Sequence, residues 1–295
     1  MRVVCLIENT SETECLKSEF GLSFYLETAS HKVIFDMGTG SDFWENACAL
    51  GIDLSGVDLA ILSHGHYDHG GGLRTFLDKN EKAPVYVQAG AFGDFYSRKP
   101  QGYAFIGLDR ELERHSCLVK LQGDLTIDRE LRLLSCVEGK KEWVPESNST
   151  LSVKHGEEYV RDTFLHEQNL MVSDGGVNVL FTGCSHCGIL NILEQCEQRT
   201  GIVPDRVIGG FHLLTPRTGK SVEPSVWEGL SSHLCKLPTV YHTCHCTGLD
   251  AFRAIACHDG QQGAVHGHRG GNRSVIPAKQ KKLPLCVRQP FLIQG

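Results

Sequence analysis

The feature that most constrains this sequence of 295 residues is a short stretch in which histidines and an aspartate follow an apolar segment. Residues 59–62 are apolar and predict a short buried strand, which is followed by His64, His66, Asp68 and His69. Alternate side chains of an extended segment share a face, so we expect His64 and His66 to point the same way. Imidazole and carboxylate groups at this density suit zinc, iron or manganese. The stretch therefore predicts a metal site, and a turn through the glycines at 70–72 can aim Asp68 and His69 at a second ion.

Composition restricts the classes of protein to which the chain can belong. A hydrophobic content of 41% over 295 residues is enough to form a sizeable core. The formal net charge of -6 gives no basic field for nucleic acid, and no run of about 18 apolar residues predicts a membrane span. Glu8 interrupts the apolar N-terminus too early for a signal peptide, so the 13 cysteines fit free thiols. We predict a cytoplasmic protein without a nucleic-acid or membrane partner.

A strand, a group of metal-binding residue types and a helix follow one another in both halves of the sequence. In the second half the strand at 177–183 leads to Cys184 and His186, and a helix is predicted from Ile189. A later strand that begins at Thr239 leads to His245 and to another predicted helix. This recurrence predicts an α/β (α+β) fold, an αββα four-layer sandwich with its chemistry at the C-terminal ends of the strands.

Two of the second-half histidines are predicted metal ligands, because a dinuclear site needs ligands beyond the first motif. His186 and His245 each lie in a glycine-flanked turn after a strand. His212, after the strand that begins at Arg206, is either a further ligand or a contact to the substrate. Cys184 is either a thiolate ligand or an apolar group that packs beneath the site.

A separate zinc site made of cysteines is an alternative for this region. The spacing Cys184-x-x-Cys187 together with Cys244-x-Cys246 supplies four thiols. The histidines interleaved with them fit the site of the first motif better.

The middle and the end of the chain are less regular. We predict one domain over residues 1–295, in which residues 90–165 form an insertion that walls or covers the site, and residues 258–295 form a C-terminal segment without a clear pattern. Four basic or polar residues of the insertion lie among aromatic residues and could bind a phosphate beside a flat ring; these are Ser97, Arg98, Lys99 and Arg110.

Several motifs together resemble one known family. They are Gly21-Leu-Ser, Leu62-Ser-His-Gly-His-Tyr-Asp-His-Gly-Gly-Gly-Leu73, Thr182-Gly-Cys-Ser-His186, Gly209-Gly-Phe-His-Leu213 and His245-Cys-Thr-Gly248. The first histidine motif is typical of the metallo-β-lactamase superfamily. The complete set, over residues 1 to about 257, resembles its 7,8-dihydropterin-6-yl-methyl-4-(β-D-ribofuranosyl)aminobenzene 5'-phosphate synthase family. The sequence departs from that family at Cys187, where we expect proline, and at Phe20, where we expect histidine.

The resemblance implies a metallo-β-lactamase-type sandwich and a ligand set for two divalent metal ions. His64, His66 and His186 would hold one ion, and Asp68, His69 and His245 would help to hold the other. Asp68 and His212 are the candidate catalytic residues. Asp36 would orient the metal loop, and Cys184 stands where the superfamily often has a carboxylate that bridges both ions.

Three functions remain open at this point. The family name implies a transferase that joins a dihydropterin diphosphate to an aryl ribose phosphate in methanopterin biosynthesis and releases diphosphate. The alternative is a metal-dependent hydrolase, with phosphodiesters as the expected substrates, and the third is a metal-binding or redox-sensing module. For the first two we expect a phosphorylated or pterin-like small molecule as substrate and two divalent ions, with zinc first and iron or manganese next.

Overall fold

The structure, a computed structural model, describes residues 1–11, 14–215, 219–258 and 291–292. The first part of the chain contains β1 (Arg2–Ile7), β2 (Ser23–Glu27), β3 (Lys32–Phe35), α1 (Asp42–Ala49), β4 (Leu59–Ile61), α2 (Tyr67–Gly70), α3 (Leu73–Lys79) and β5 (Val85–Gln88). The middle part contains β6 (Phe95–Lys99), β7 (Gly102–Phe105), β8 (Leu118–Leu121), β9 (Leu125–Thr126), β10 (Leu131–Ser135), β11 (Leu151–His155) and β12 (Glu158–Arg161). The last part contains β13 (Gln168–Asp174), β14 (Val177–Phe181), α4 (Ile189–Thr200), β15 (Arg206–Gly209), β16 (Leu214–Thr215), β17 (Lys220–Ser221), α5 (Pro224–Leu234), β18 (Val240–Thr243), α6 (Leu249–His258) and β19 (Phe291–Leu292).

Two mixed sheets form the centre of the molecule. The first has the order β19-β1-β2-β3-β4-β5-β8, and the second has the order β18-β15-β14-β13-β10-β9. The strands β3, β4, β5 and β8 run parallel, as do β14, β15 and β18. Parallel strands end at one edge of their sheet, so the loops that follow β3 and β4 gather together, as do those that follow β14, β15 and β18.

Three apolar layers hold four layers of secondary structure together. Phe43 of α1 and Phe76 of α3 pack against the outer face of the first sheet. Phe24, Phe35 and Phe181 meet between the two sheets, with ring centroids about 6 Å apart. A third layer joins the second sheet to the helices α4, α5 and α6. The predicted αββα sandwich is confirmed, because each sheet buries one face on the other and one face under helices.

The range predicted as an insertion divides between the core and a separate small sheet. The strands β8, β9 and β10 belong to the two main sheets. The strands β12-β11-β6-β7 form a four-stranded antiparallel sheet of their own. The single-domain organisation stays a prediction, and the segment 258–295 lies outside the described residues except for His258 and for β19, which pairs with β1. Within the described part of the chain, no helix is both long and apolar enough to cross a membrane.

Candidate metal centre

The loops at the C-terminal ends of the parallel strands place the predicted residues around one point. Asp36 follows β3, the motif from His64 follows β4, and Cys184 follows β14. Four non-glycine residues of these loops have positive φ angles, which L side chains rarely adopt: Asp36 (59°), Ser185 (57°), His212 (51°) and His245 (50°). Strained backbone of this kind persists where the surrounding structure fixes it, and it concentrates at functional sites.

Three buried histidines form the first side of the centre. The ring centroids of His64, His66 and His186 lie 4.7, 4.9 and 5.0 Å apart in the three pairings. The Nε2 atom of each ring is buried and has no hydrogen-bond partner among the described residues. Buried polar atoms are normally paired, so three orphaned nitrogens fit ligands of a metal ion. The ligand atoms of His64 lie within 4.8 Å of those of His66 and Asp68 in one group, and of those of Cys184 and His186 in another.

The other ring nitrogen, Nδ1, has a hydrogen-bond partner in two of these histidines. Oγ of Ser63 lies 2.9 Å from His64 Nδ1, and Oδ1 of Asn148 lies 2.8 Å from His186 Nδ1. Burial lowers the pKa of His66 to about 3, and it lowers the pKa values of His64 and His186 well below their usual range. The rings are therefore neutral near pH 7, which is the form that a metal ion binds.

The second side contains charged groups. Asp68, His69, Cys184 and His245 have their ligand atoms within 4.8 Å of one another. Asp36 Oδ2 lies 2.6 Å from His69 Nδ1, and Asp68 Oδ2 lies 3.3 Å from His245 Nε2. Burial lowers the pKa of His69, but the charges of Asp36 and Asp68 outweigh burial and raise it to about 9. Burial raises the pKa of Asp68, but the charge of His69 and a hydrogen bond from His245 outweigh it and lower this pKa below its usual range.

Cys184 lies between the two sides. Its Sγ is 3.1 Å from His69 Nε2, and it also shares possible metal-binding groups with His64 and His186 and with His212 and Cys246. This location is compatible with both roles left open for Cys184, a thiolate ligand or an apolar group beneath the site, so its role stays a prediction. The four cysteines of the alternative zinc site are not grouped within the described ranges, because Cys187 packs under α4 and Cys244 packs between the sheets.

A further histidine, His166, lies beside His66, and both of its ring nitrogens have hydrogen-bond partners in the protein. His166 Nδ1 accepts the backbone N–H of Gly65 at 3.0 Å, and its Nε2 lies 3.1 Å from Asp162. Because Nδ1 accepts, the proton is on Nε2 and the ring has no lone pair left for a metal ion. His166 therefore holds the backbone between His64 and His66, although Asp162, His166 and His66 are close enough to form a metal-binding group.

Comparison with known proteins shows the superfamily of the chain. A family model described as the metallo-beta-lactamase superfamily matches residues 17–209, more than half of the chain. The chain belongs to the metallo-beta-lactamase superfamily. The crystal structure of a metal-dependent hydrolase of the beta-lactamase superfamily is 30% identical, has a TM-score of 0.72, and the match covers 86% of this chain and 91% of that one.

Two proteins of Methanocaldococcus jannaschii are also similar to this superfamily member. An uncharacterised protein is 27% identical over 90% of this chain and 96% of its own length. The 7,8-dihydropterin-6-methyl-4-(beta-D-ribofuranosyl)-aminobenzene-5'-phosphate synthase is 29% identical over 79% of this chain and 83% of its own length.

A cavity of about 80 Å³ opens from the centre of this superfamily fold toward the four-stranded sheet. His66, Asp68, His186 and His212 line it on the metal side, and Ser97 and Lys99 line it from β6. Phe20 and Tyr67 also line it, and Tyr67 is 43% exposed. Arg110, which the sequence grouped with Lys99, instead pairs with Asp94 at 2.6 Å and does not line this cavity.

Sequence reasoning missed the residues that hold the predicted metal ligands in position by hydrogen bonds, directly or through His166. They are Glu8, Asn9, Ser63, Asn148, Asp162, His166 and Glu167. Two local indications were present, because Glu8 and Asn9 come directly after a predicted strand and Ser63 directly precedes His64. Asn148, His166 and Glu167 contact residues 38, 101 and 19 positions away, so no spacing rule identifies them.

Proposed function

We propose that this chain is a dinuclear metal enzyme that acts on a phosphorylated small molecule with a flat ring. His64, His66 and His186 would hold one divalent ion. Asp68, His69 and His245 would hold the other, with Cys184 between them. The nitrogen, oxygen and sulfur donors suit zinc first, and iron or manganese next. Bound ions would act as Lewis acids that neutralise charge on a phosphate leaving group.

One observation carries the proposal. The orphaned Nε2 atoms belong to histidines that line, or directly adjoin, a cavity that Lys99 also lines. An ammonium group beside a metal site provides a second attachment for an anion. A neutral or cationic substrate would gain nothing from this arrangement, so it favours a substrate with phosphate groups.

The remaining residues have distinct roles in this proposal. Asp68 is ionised and lies at the cavity, so it can accept a proton from the attacking group. The centroid of the His212 ring lies 4.3 Å from that of the His186 ring, and His212 lines the cavity, where it would contact the substrate. Lys99 and Ser97 bind phosphate, and the small sheet that carries them acts as the lid. The reaction would be the condensation that the resemblance to the synthase family implies, in which a dihydropterin diphosphate is joined to the aryl ribose phosphate and diphosphate leaves. Phe20 and Tyr67 offer the ring surfaces that such a substrate needs.

Hydrolysis of a phosphodiester is the second candidate. The cavity of about 80 Å³ is smaller than the roughly 300–1,000 Å³ typical of sites for drug-sized ligands. A simple diester requires less room than two ring-bearing substrates, and the similar solved structure is a metal-dependent hydrolase.

The test compares both reactions on the same metal-loaded preparation. We expect close to two ions per chain and diphosphate release that depends on both condensation substrates. His66→Ala should lose one ion and nearly all turnover. Lys99→Gln should raise the KM for a phosphorylated substrate about 10-fold to 100-fold, because it removes a charged hydrogen bond worth roughly 1.5–3 kcal/mol.

The matched control is Arg98→Gln, on the same strand but outside the cavity lining, which should leave KM unchanged. Turnover of a chromogenic diester without condensation would select the hydrolase. Wild-type protein that binds no divalent ion would contradict both candidates.

A further inference from the structure

Two ligand histidines are held by the same pair of residue types. The backbone N–H of His186 donates to Glu167 Oε1 at 2.6 Å. The Nδ1 atom of its ring lies 2.8 Å from Asn148 Oδ1, and Asn148 Nδ2 donates to the His186 carbonyl at 2.8 Å. One glutamate and one asparagine therefore engage the N–H, the C=O and the ring of a single residue.

His245 is held in the same way by residues from the other end of the chain. Its backbone N–H donates to Glu8 Oε1 at 2.8 Å. Its Nδ1 lies 2.8 Å from Asn9 Oδ1, and Asn9 Nδ2 donates to the His245 carbonyl at 3.1 Å. We call each glutamate and asparagine pair a clamp: Glu167 with Asn148 is the first, and Glu8 with Asn9 is the second.

The clamp geometry fixes the tautomer of each ring. An amide nitrogen can only donate, so the bond from Nδ2 to the histidine carbonyl determines which amide atom faces the ring. The amide oxygen then accepts a hydrogen from Nδ1, so Nε2 is the nitrogen left to bind an ion. In His186 this Nε2 is orphaned, and in His245 it faces Asp68 at 3.3 Å.

We propose that Asn148 with Glu167, and Asn9 with Glu8, are positioning residues that set the two metal affinities separately. The inference rests on the proposed function, because it requires His186 and His245 to be ligands of different ions. The clamps have no residue in common. Glu167 also binds the Cys187 N–H at 2.9 Å, whereas Glu8 also binds the Thr10 N–H at 2.9 Å. Partners that orient ligand histidines typically change metal affinity by 10-fold to 100-fold when they are replaced.

The experiment uses the matched variants Asn148→Leu and Asn9→Leu in the full chain, titrated with zinc against a chelator. Asn148→Leu should weaken one binding event 10-fold to 100-fold, and Asn9→Leu should weaken the other. In the His66→Ala background only the second event remains, so there Asn9→Leu should weaken binding and Asn148→Leu should not. The conservative variants Asn148→Asp and Asn9→Asp keep an oxygen acceptor for Nδ1–H and should restore most of the affinity.

Nitrogen-15 spectra of the imidazoles in metal-free protein supply a second measurement, which needs no variant to fold. We expect the proton of His186 and of His245 on Nδ1. The absence of a proton from Nδ1 in either ring would overturn the clamps. Equal weakening of both binding events by one variant, or unchanged affinities, would overturn them as well. If wild-type protein binds no ion while both rings carry Nδ1–H, the proposed function fails, and with it the role in metal binding, while the tautomer assignment stands.

Discussion

The first side of the metal centre holds neutral rings, and the second side holds an ion pair. Burial keeps the pKa of His66 at about 3, whereas Asp36 and Asp68 raise the pKa of His69 to about 9. Both rings are buried, so burial alone does not separate them. The difference comes from the two carboxylates beside His69, which stabilise its charged form more than burial destabilises it. Near pH 7 histidine is therefore neutral on the first side of the centre, as at His66, and protonated on the second side, as at His69.

Replacing Asp36 by asparagine should remove this difference and have the largest effect. Asp36 is fully buried, and its carboxylate accepts hydrogen bonds from Ser63 N and Ser63 Oγ as well as contacting His69. Asparagine tolerates the positive φ, so the variant tests the charge and not the backbone. We expect the metal-free protein to lose about 3–5 kcal/mol of unfolding free energy in urea denaturation.

The matched control for Asp36→Asn is Asp128→Asn. Asp128 also contacts a histidine, His31, at 2.6 Å, but its side chain is 37% exposed. An exposed pair contributes at most about 1 kcal/mol. Equal losses of unfolding free energy in the two variants would show that the buried contact between Asp36 and His69 stabilises the fold no more than an exposed one.

The pH dependence of metal binding should distinguish the first side of the metal centre from the second. Near pH 7 the His69 ring carries a proton that an ion must displace, because its pKa is raised to about 9. Affinity for the second ion should therefore rise about 10-fold per pH unit from pH 7 to about 9. Affinity for the first ion should rise less steeply over this range, because His66 has already lost its proton at its pKa of about 3 and only the shared Cys184 thiol still has a proton to lose. Parallel slopes for both ions in a chelator competition would contradict this assignment.

A smaller effect is expected at the seam between the sheets. A Cβ on Gly183 would lie 2.7 Å from Ser63 Cβ and 3.1 Å from His64 Nδ1. Gly183→Ala should cost about 1–3 kcal/mol of unfolding free energy and weaken the first ion more than the second. Gly40→Ala adds a Cβ with nothing within 4 Å, so it should leave stability nearly unchanged. Urea denaturation and zinc titration of both variants measure these effects.

Local patterns were sufficient for much of the prediction. The apolar run before His64 and the glycines after His69 indicated a strand and a turn, and the structure has β4 and the short helix α2 there. The predicted helix from Ile189 is α4, and the strands before Cys184 and His245 are β14 and β18. The less regular range 90–165 was harder, because β8 and β10 pair with strands of the main sheets that no local period identifies.

By itself, the sequence determined the residue types, their spacing and the strands that bring His64, His66, His186 and His245 to one edge. Only the tertiary structure decided which residues hold each ring. Asn9 and His245 are separated by 236 positions, and Gly65 and His166 by 101. The physical reason is that a hydrogen bond depends on distance and angle in space, whereas periodicity reports only burial along one element. The charge on His69 was decided in the same way, by carboxylates that folding buried beside it.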